Sequence, residues 1–418
     1  MRIKIKEMPL ILAILKDPTA TQQELSDLVA TFADHTWDIS NISRKLARFF
    51  DPENGIMHEV QPIFNLNLLH LELHGFIIQI EDSEWDRNVA IVEKLVKLHP
   101  YAIYTSTVYG RYNGMYVQFH NPKNSDVCVY VSKLLDYLQE KKVVKDYQWM
   151  PDLQNIINSN GSLGVWDPWT SYWDVDFEKL KELLNGEYDK IWMPRKNNIL
   201  KKLRDYDMAI LRELSKGLKR SQKEVMLMLL GKKVEADGYD PYLQFRDSFP
   251  KSKQSLSRRI SWIENFGFIK SKWLIFDRER FGLFNQVLFI FDRDESGLHA
   301  LKKAIETEID RIGYSTKGSY IMKNKVLPYP CLLNANDDKI VLWLYLQPVD
   351  LLKFADIFTK KFCNVEMYFI GRNPKSYFFN NFNFDSAKSS WKVDRLYVYD
   401  SILYQLKNEL EGQIEIAL

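Results

Sequence analysis

The sequence predicts an α+β protein made of two copies of one unit, each a helical block followed by a βαββαβ order. Three observations carry this prediction. A capping-box helix start occurs twice about 200 residues apart, at Thr21-Gln22-Gln23-Glu24 and at Ser221-Gln222-Lys223-Glu224. The same succession of strand-like and helix-like stretches follows each block. The two tails also correspond, Trp173-Asp174-Val175-Asp176 with Trp391-Lys392-Val393-Asp394.

The first block opens with Leu10, Ile11, Ile14 and Leu15 at helical spacing and runs through Ser43-Arg44-Lys45-Leu46 to a stop at Gly55-Ile56. The second repeats this with Ile210, Leu211 and Leu214, then Ser257-Arg258-Arg259-Ile260, then Gly267-Phe268-Ile269. Each reads as three helices with wing-like extended segments, the pattern of a winged helix-turn-helix. An insertion of roughly 20 residues, 231–250, separates the second and third helices of the second block.

Behind the first block, Gly75–Ile80 is a strand candidate and Trp85, Val89, Val92, Leu95 and Val96 form a helix stripe. Strands at Tyr101–Tyr109 and Met115–Phe119 flank the turn Gly110-Arg111-Tyr112-Asn113-Gly114. A helix carrying Val127, Tyr130, Val131, Leu134, Leu135 and Leu138 follows, then a strand at Val143–Met150. This is a ferredoxin-like order. The second half offers a strand at Gln286–Phe291, a helix marked by Leu298, Leu301, Ile305, Ile309 and Ile312, and strands at Tyr314–Lys323 and Ile340–Gln347. A helix at Leu351–Phe362 and a strand at Val365–Ile370 complete it. The expected domains are residues 1–70 and 203–282 (winged helices), 71–152 and 283–372 (ferredoxin-like), 153–202 (connector) and 373–418 (tail). Few Ser, Gly or Pro stand in the connector, so it is expected to pack.

Composition bounds the class. With 46% apolar and 27% charged residues and a net charge of +2, the chain reads as ordinary globular protein. No apolar run approaches the ~20 residues of a membrane span, and no signal-peptide pattern follows Met1. Cys128, Cys331 and Cys363 are odd in number and far apart, which argues against disulfides and zinc and for a reducing cytoplasmic setting. Neither a cofactor motif nor a histidine pair at metal spacing is present among the seven histidines, so no cofactor is expected.

The second half resembles the Lrp/AsnC family of transcriptional regulators. Leu203-Arg204-Asp205-Tyr206-Asp207-Met208-Ala209-Ile210-Leu211 is similar to the family's opening L-D-x-x-D-x-x-I-L. Ser252-Lys253-Gln254-Ser255-Leu256-Ser257-Arg258-Arg259-Ile260 is similar to its recognition-helix pattern, and the likeness continues through Ile263-Glu264, Gly267 and Ile269 to Gly282. In the first half, Val108-Tyr109-Gly110-Arg111-Tyr112-Asn113 resembles the family's ligand-domain turn. The resemblance implies a non-enzymatic, sequence-specific regulator of double-stranded DNA, modulated by a small molecule such as an amino acid. It also implies an internal pseudo-dimer or a homo-oligomer.

Charge assigns the DNA role mainly to the second block. Residues 195–280 hold 21 Lys/Arg against 11 Asp/Glu, whereas residues 1–60 hold 7 against 9. The candidate contacts are Ser252, Lys253, Gln254, Ser255, Arg258 and Arg259, with Asn41, Ser43, Arg44 and Arg48 in the first block. The ligand candidates are Gly110, Tyr112, Asn113 and Gly114, whose glycines allow close backbone approach. The aromatic run Trp166, Trp169, Tyr172 and Trp173 reads as a packing clamp. Two alternatives stand beside the regulator. One is a winged-helix scaffold for protein partners. The other follows from a resemblance to siroheme decarboxylases, which combine the same two domain types and depend on histidine near the second and third strands of the αβ domain. His99 and His120 bracket the first-half hairpin, and Tyr329-Pro330 resembles part of their pattern, although Tyr314–Gln347 contains no histidine.

Overall fold

The computed structural model describes residues 3–33, 37–162, 166–167, 170–186, 188, 203–233, 242, 249, 251–315, 318–371, 373–377 and 379–411. The expected insertion 231–250 and the connector's end at 189–202 lie almost wholly outside these residues, as do His35 and Trp169.

Helices α1 (Met8–Lys16), α2 (Gln22–Phe32) and α3 (Ile39–Phe49) lead into strand β1 (Met57–Phe64). The box at Thr21 forms as expected: its hydroxyl accepts from the Glu24 N–H, and Glu24 accepts from the Thr21 N–H at 2.7 Å. Then come β2 (Leu71–Ile80), α4 (Trp85–Leu98), β3 (Ala102–Gly110), β4 (Gly114–Pro122), α5 (Val127–Glu140), β5 (Val144–Met150) and β6 (Gln154–Ser159). The connector continues with β7 (Trp166–Asp167), β8 (Tyr172–Trp173) and α6 (Phe177–Leu184).

The second half has α7 (Asp205–Ser215), α8 (Gln222–Leu229), α9 (Lys253–Asn265) and β9 (Ile269–Phe276). After them follow β10 (Asn285–Asp292), α10 (Glu295–Glu306), β11 (Glu308–Ser315), β12 (Gly318–Lys325), β13 (Cys331–Ala335), β14 (Lys339–Leu346), α11 (Leu351–Lys361) and β15 (Glu366–Ile370). The chain ends with β16 (Lys375–Ser376), β17 (Phe384–Asp385), β18 (Ser390–Trp391) and α12 (Ser401–Glu411).

Two expectations fail in this half. The helix predicted through Ile312 stops at Glu306, because the β-branched Thr307 takes an extended conformation (φ −66°, ψ 123°) and starts a strand. The expected sheet strand Tyr314–Lys323 instead belongs to a separate hairpin, β11 with β12. Its place in the sheet is taken by β13, where Cys331, Leu333 and Ala335 are buried at alternate positions between Pro330 and the Asn336–Asp338 turn.

The architecture is α+β around one large antiparallel sheet of ten strands, in the order β5-β2-β4-β3-β15-β10-β14-β13-β6, with β16 also on β3. In a flat sheet β3 and β14 would lie roughly 14 Å apart. The rings of Tyr104 on β3 and Trp343 on β14 are nonetheless 5.0 Å apart. The sheet therefore curls, and Leu73, Ile77, Tyr104 and Tyr116 pack against Leu288, Ile290, Val341 and Tyr368 inside the curl. Helices α4, α5 and α12 cover the outer face of the first four strands through Ile91, Val92, Leu134, Leu135 and Leu406. On the other side α10 and α11 cover the outer face with Leu298, Leu301, Phe354 and Phe358.

Contacts between the halves are reciprocal. Strand β1 pairs with β9 over most of its length, Val60 opposite Leu274. Beyond β5, the chain crosses to pair β6 with β13; beyond β15, it crosses to pair β16 with β3. Indole N–H groups fasten the tails: Trp173 donates to the Phe281 carbonyl at 2.7 Å, and Trp391 to the Leu69 carbonyl at 2.8 Å. Trp166 and Trp173 are buried, so the described part of the connector packs as expected, although Tyr172 is exposed. Truncating Trp391 to Ala should lower stability by about 3–5 kcal/mol, whereas Trp391→Phe, which keeps most packing and loses the hydrogen bond, should cost about 1 kcal/mol in urea unfolding.

Candidate functional site

Helix α9 starts at Ser252, whose hydroxyl accepts from the Ser255 N–H at 3.1 Å. Ser252, Lys253, Gln254, Ser255 and Arg258 are exposed. Arg259 is committed inward: its guanidinium grips both oxygens of the fully buried Asp207 on α7 and lies 3.7 Å over the Trp262 ring. The first block repeats the device. Buried Glu7 receives Lys45 at 2.6 Å and also Arg48. Burial works to raise the Glu7 carboxyl, but the hydrogen bonds from Lys45 and Arg48 outweigh it and leave the pKa lowered. Ser43 and Arg44 are exposed, and Arg44 donates to Asn41 at 3.3 Å. Two of the four candidate arginines, Arg48 and Arg259, thus tie the third helix of each block to the start of its first. The strands after those helices, β1 and β9, pair with each other.

The first-half turn has a structural reason for its glycines. A Cβ on Gly110 would stand 2.0 Å from the Met367 carbonyl oxygen, and one on Gly114 would stand 1.9 Å from that of Ile78. Tyr112 packs on Tyr368 at 5.5 Å between ring centres, and the Asn113 carbonyl accepts from the Ile80 N–H. None of these four residues borders the cavity described next.

That cavity, of about 740 Å³, lies where the curled sheet meets β1 and β9. Its lining includes Tyr104, Gln118 and His120 from the sheet, Phe64 from β1, Lys270 from β9 and Lys302 from α10. Burial pushes the His120 imidazole down to about 4, so it is neutral at pH 7. Burial, then the neighbouring Lys302, lowers the Lys270 ammonium, which donates to the Asn155 carbonyl. Burial and the charge of Glu72 raise the Asp152 carboxyl. Glu72 is itself lowered, chiefly by its hydrogen bond with His74, whose Nδ1 accepts from the Trp149 indole at 3.2 Å. Two buried polar atoms on lining residues have no partner, Tyr104 Oη and Asn155 Oδ1. The lining thus combines aromatic walls, the two cations Lys270 and Lys302, a neutral imidazole and the carboxyls of Glu72 and Asp152.

Of the two histidines that bracket the hairpin, only His120 reaches the cavity. His99 is buried, held at about 3 by that burial, with its ring against the edge of Phe119. Tyr329 is buried and donates to Asp350 at 2.6 Å, a packing role. Sequence reasoning missed Tyr104, Gln118, Lys270 and Lys302. One signal was present: Tyr116, Gln118 and His120 alternate along β4, placing polar groups on a face that an ordinary core would make apolar. Among the described residues no cluster has the makings of a metal site, and no helix is long and apolar enough to cross a membrane.

No protein family matches the sequence, and no curated protein does. Among solved structures, the siroheme decarboxylase NirDL matches at 12% identity over 98% of this chain and 99% of its own, with a TM-score of 0.45. NirDL bound to an iron-uroporphyrin III analogue matches at 11% identity over 97% and 98%, TM-score 0.42. A transcriptional regulator from Neisseria meningitidis in complex with L-Met matches at 16% identity over 38% of this chain and 94% of its own, TM-score 0.28. The expectation of a non-enzymatic DNA-binding regulator is therefore corrected: the matches that span the chain are to an enzyme, and the regulator covers little more than a third.

The inward ion pairs make a pH prediction. A carboxylate whose folded pKa is depressed adds stability above its unfolded pKa, about 4.3 for Glu, and loses it as pH falls through the folded value. Glu7 and Glu213 are both lowered. Glu7→Gln should destabilise the chain at pH 7 and leave a shallower loss of stability on acidification below pH ~4 than the parent shows.

Proposed function

We propose that this chain is an enzyme acting on a tetrapyrrole, of the siroheme-decarboxylase type, with the 740 Å³ cavity as its site. The observation that carries the reading is the neutral, cavity-lining imidazole of His120 set among aromatic walls with Lys270 and Lys302 at the rim. A siroheme-like substrate is a flat macrocycle rimmed with carboxylates. Phe64, Tyr377 and Phe379 offer it apolar contact, and the two lysines offer counter-charge.

In the decarboxylation, a carboxylate on a macrocycle side chain leaves as carbon dioxide. Its bonding electron pair remains on the side-chain carbon, delocalised over the ring, and that carbon takes up a proton. The chain's residues would act around this step. The lysines hold the remaining carboxylates so that one is presented for loss. The apolar walls strip water from it, which favours charge dispersal into the ring. Asp152, kept protonated to higher pH than an ordinary carboxyl, stands in the lining as a proton source.

The same reading takes the chain as two winged helices, residues 1–70 and 203–282, and two ferredoxin-like domains, residues 71–152 and 283–372, with 153–202 and 373–418 as connector and tail, in an internal pseudo-dimer. Supporting it are the equivalent strand orders β5-β2-β4-β3 and β15-β10-β14-β13. The matching buried pairs Glu7–Lys45 and Asp207–Arg259 and the matching Trp173 and Trp391 also support it.

Absorbance titration of the full chain with siroheme, under anaerobic conditions, tests the proposal. The parent should shift the tetrapyrrole spectrum with saturation at one equivalent per chain. His120→Ala should change the bound spectrum, and Lys270→Ala with Lys302→Ala should weaken binding at least about tenfold, as expected on losing charge-assisted contacts. Absence of any saturable shift in the folded parent would sink the reading.

A further inference from the structure

Strand β5 leaves its partner β2 at Gly75, opposite Met150, and the chain then crosses to the second half. On the way, the Leu153 N–H donates to the Leu73 carbonyl at 2.6 Å, and the Pro151 carbonyl accepts from Asn336 at 2.7 Å. Asp152 is clamped between these two bonds in the left-handed region, at φ 43°, a conformation that Asp tolerates better than most residues. The clamp seats its carboxyl by the side chains of Glu72 and His74, which stand two residues apart on one face of β2. Asp152 and Glu72 both line the cavity, whereas His74 is buried outside the lining.

Hydrogen bonding decides which of the two carboxyls keeps a proton. The Trp149 indole, which can only donate, gives its hydrogen to His74 Nδ1 at 3.2 Å. That nitrogen therefore carries no proton, and the imidazole hydrogen sits on Nε2, 3.5 Å from Glu72 Oε2. The same oxygen accepts from Asn121 Nδ2 at 3.5 Å. Asp152 receives a single side-chain donor, Gln154 Nε2, at 3.5 Å. Two neighbouring carboxyls resist double ionisation, and the one with more donors ionises first. Accordingly Glu72 is lowered, chiefly by His74, while burial and then the Glu72 charge raise Asp152. Lys123, just beyond β4, also faces both carboxyls and donates to Asn67 Oδ1 at 3.0 Å.

We propose that Trp149, His74 and Glu72 are positioning residues, a chain that holds Glu72 ionised and leaves the cavity's transferable proton on Asp152. The inference rests on the tetrapyrrole reading above. As the bond to the departing carbon dioxide breaks, its electron pair stays on the side-chain carbon. The Asp152 hydroxyl proton passes to that carbon, and the carboxylate left behind takes its next proton from solvent. Asp152 is the catalytic residue of this step, and the other three act through it.

The test uses the full chain and two variants. Glu72→Gln keeps the shape of the side chain and removes its charge; Trp149→Phe keeps a ring and removes the indole donor. One readout is the pH profile of siroheme decarboxylation under anaerobic conditions. The other is NMR titration of isotope-labelled Asp carboxyls, with the Asp152 signal assigned by its loss in Asp152→Asn. An acid that must be protonated works below its pKa and fails as pH rises through it. Removing the Glu72 charge makes Asp152 easier to ionise. Glu72→Gln should therefore move both the alkaline limb of the profile and the Asp152 titration to lower pH, by about one unit. In Trp149→Phe the His74 hydrogen is free to move to Nδ1, so Glu72 loses a donor and competes for the proton. Its maximal rate should fall at least about threefold, with siroheme affinity unchanged.

An Asp152 titration that Glu72→Gln leaves in place overturns the chain, and siroheme turnover by the parent then spares the tetrapyrrole reading. A titration that moves in Glu72→Gln, in a parent that leaves siroheme unchanged, upholds the chain's hold on the proton and removes that reading. Weaker siroheme binding by Trp149→Phe, with maximal rate and pH profile as in the parent, overturns the place of Trp149 in the chain and leaves it a packing residue.

Discussion

The pairing of β1 with β9 is the constraint on which the rest of the molecule depends. Each strand follows the helical block of its own half and finds its hydrogen-bond partner only in the other. An isolated strand edge would expose its N–H and C=O groups, so each half supplies what the other lacks. The crossing strands β6 and β16 and the tail tryptophans repeat this exchange at four further places. Together they hold the sheet in its curl. The curl, in turn, brings Tyr104 and His120 of the first half and Lys270 and Lys302 of the second to one cavity.

Electrostatics follows the same economy of partners. Glu7, Asp207 and Glu213 are fully buried, and a buried carboxylate is tolerated only when cations and hydrogen bonds meet it. Lys45 and Arg48 meet Glu7, Arg259 meets Asp207, and Lys216 and Arg220 meet Glu213. The cations of the helical blocks are therefore partly structural.

The first βαββαβ stretch was legible because its signals are local. Buried Ile91, Val92, Leu95 and Val96 on α4 keep one helical face, and turns separate the strands. Both capping boxes were legible for the same reason. The second half misled where Ile305, Ile309 and Ile312 continue a helical spacing across the break at Thr307, so that periodicity alone could not mark the change to a strand. Charge misled differently: the excess of Lys and Arg in residues 195–280 is real, but a count does not reveal that Arg259 and Arg220 face buried carboxylates. His120 was visible as a residue bracketing the hairpin. Its cavity partners were not, because they come from elements far apart in sequence that meet only through the curl.

The chemistry proposed for the cavity at this junction, loss of carbon dioxide from a tetrapyrrole, changes the mass of the macrocycle. Mass spectrometry of siroheme recovered after anaerobic incubation with the full chain tests it most directly. Products lighter than siroheme by whole units of carbon dioxide are expected from the parent, and strongly diminished with His120→Ala. Siroheme recovered unchanged from a folded, siroheme-binding parent would contradict it.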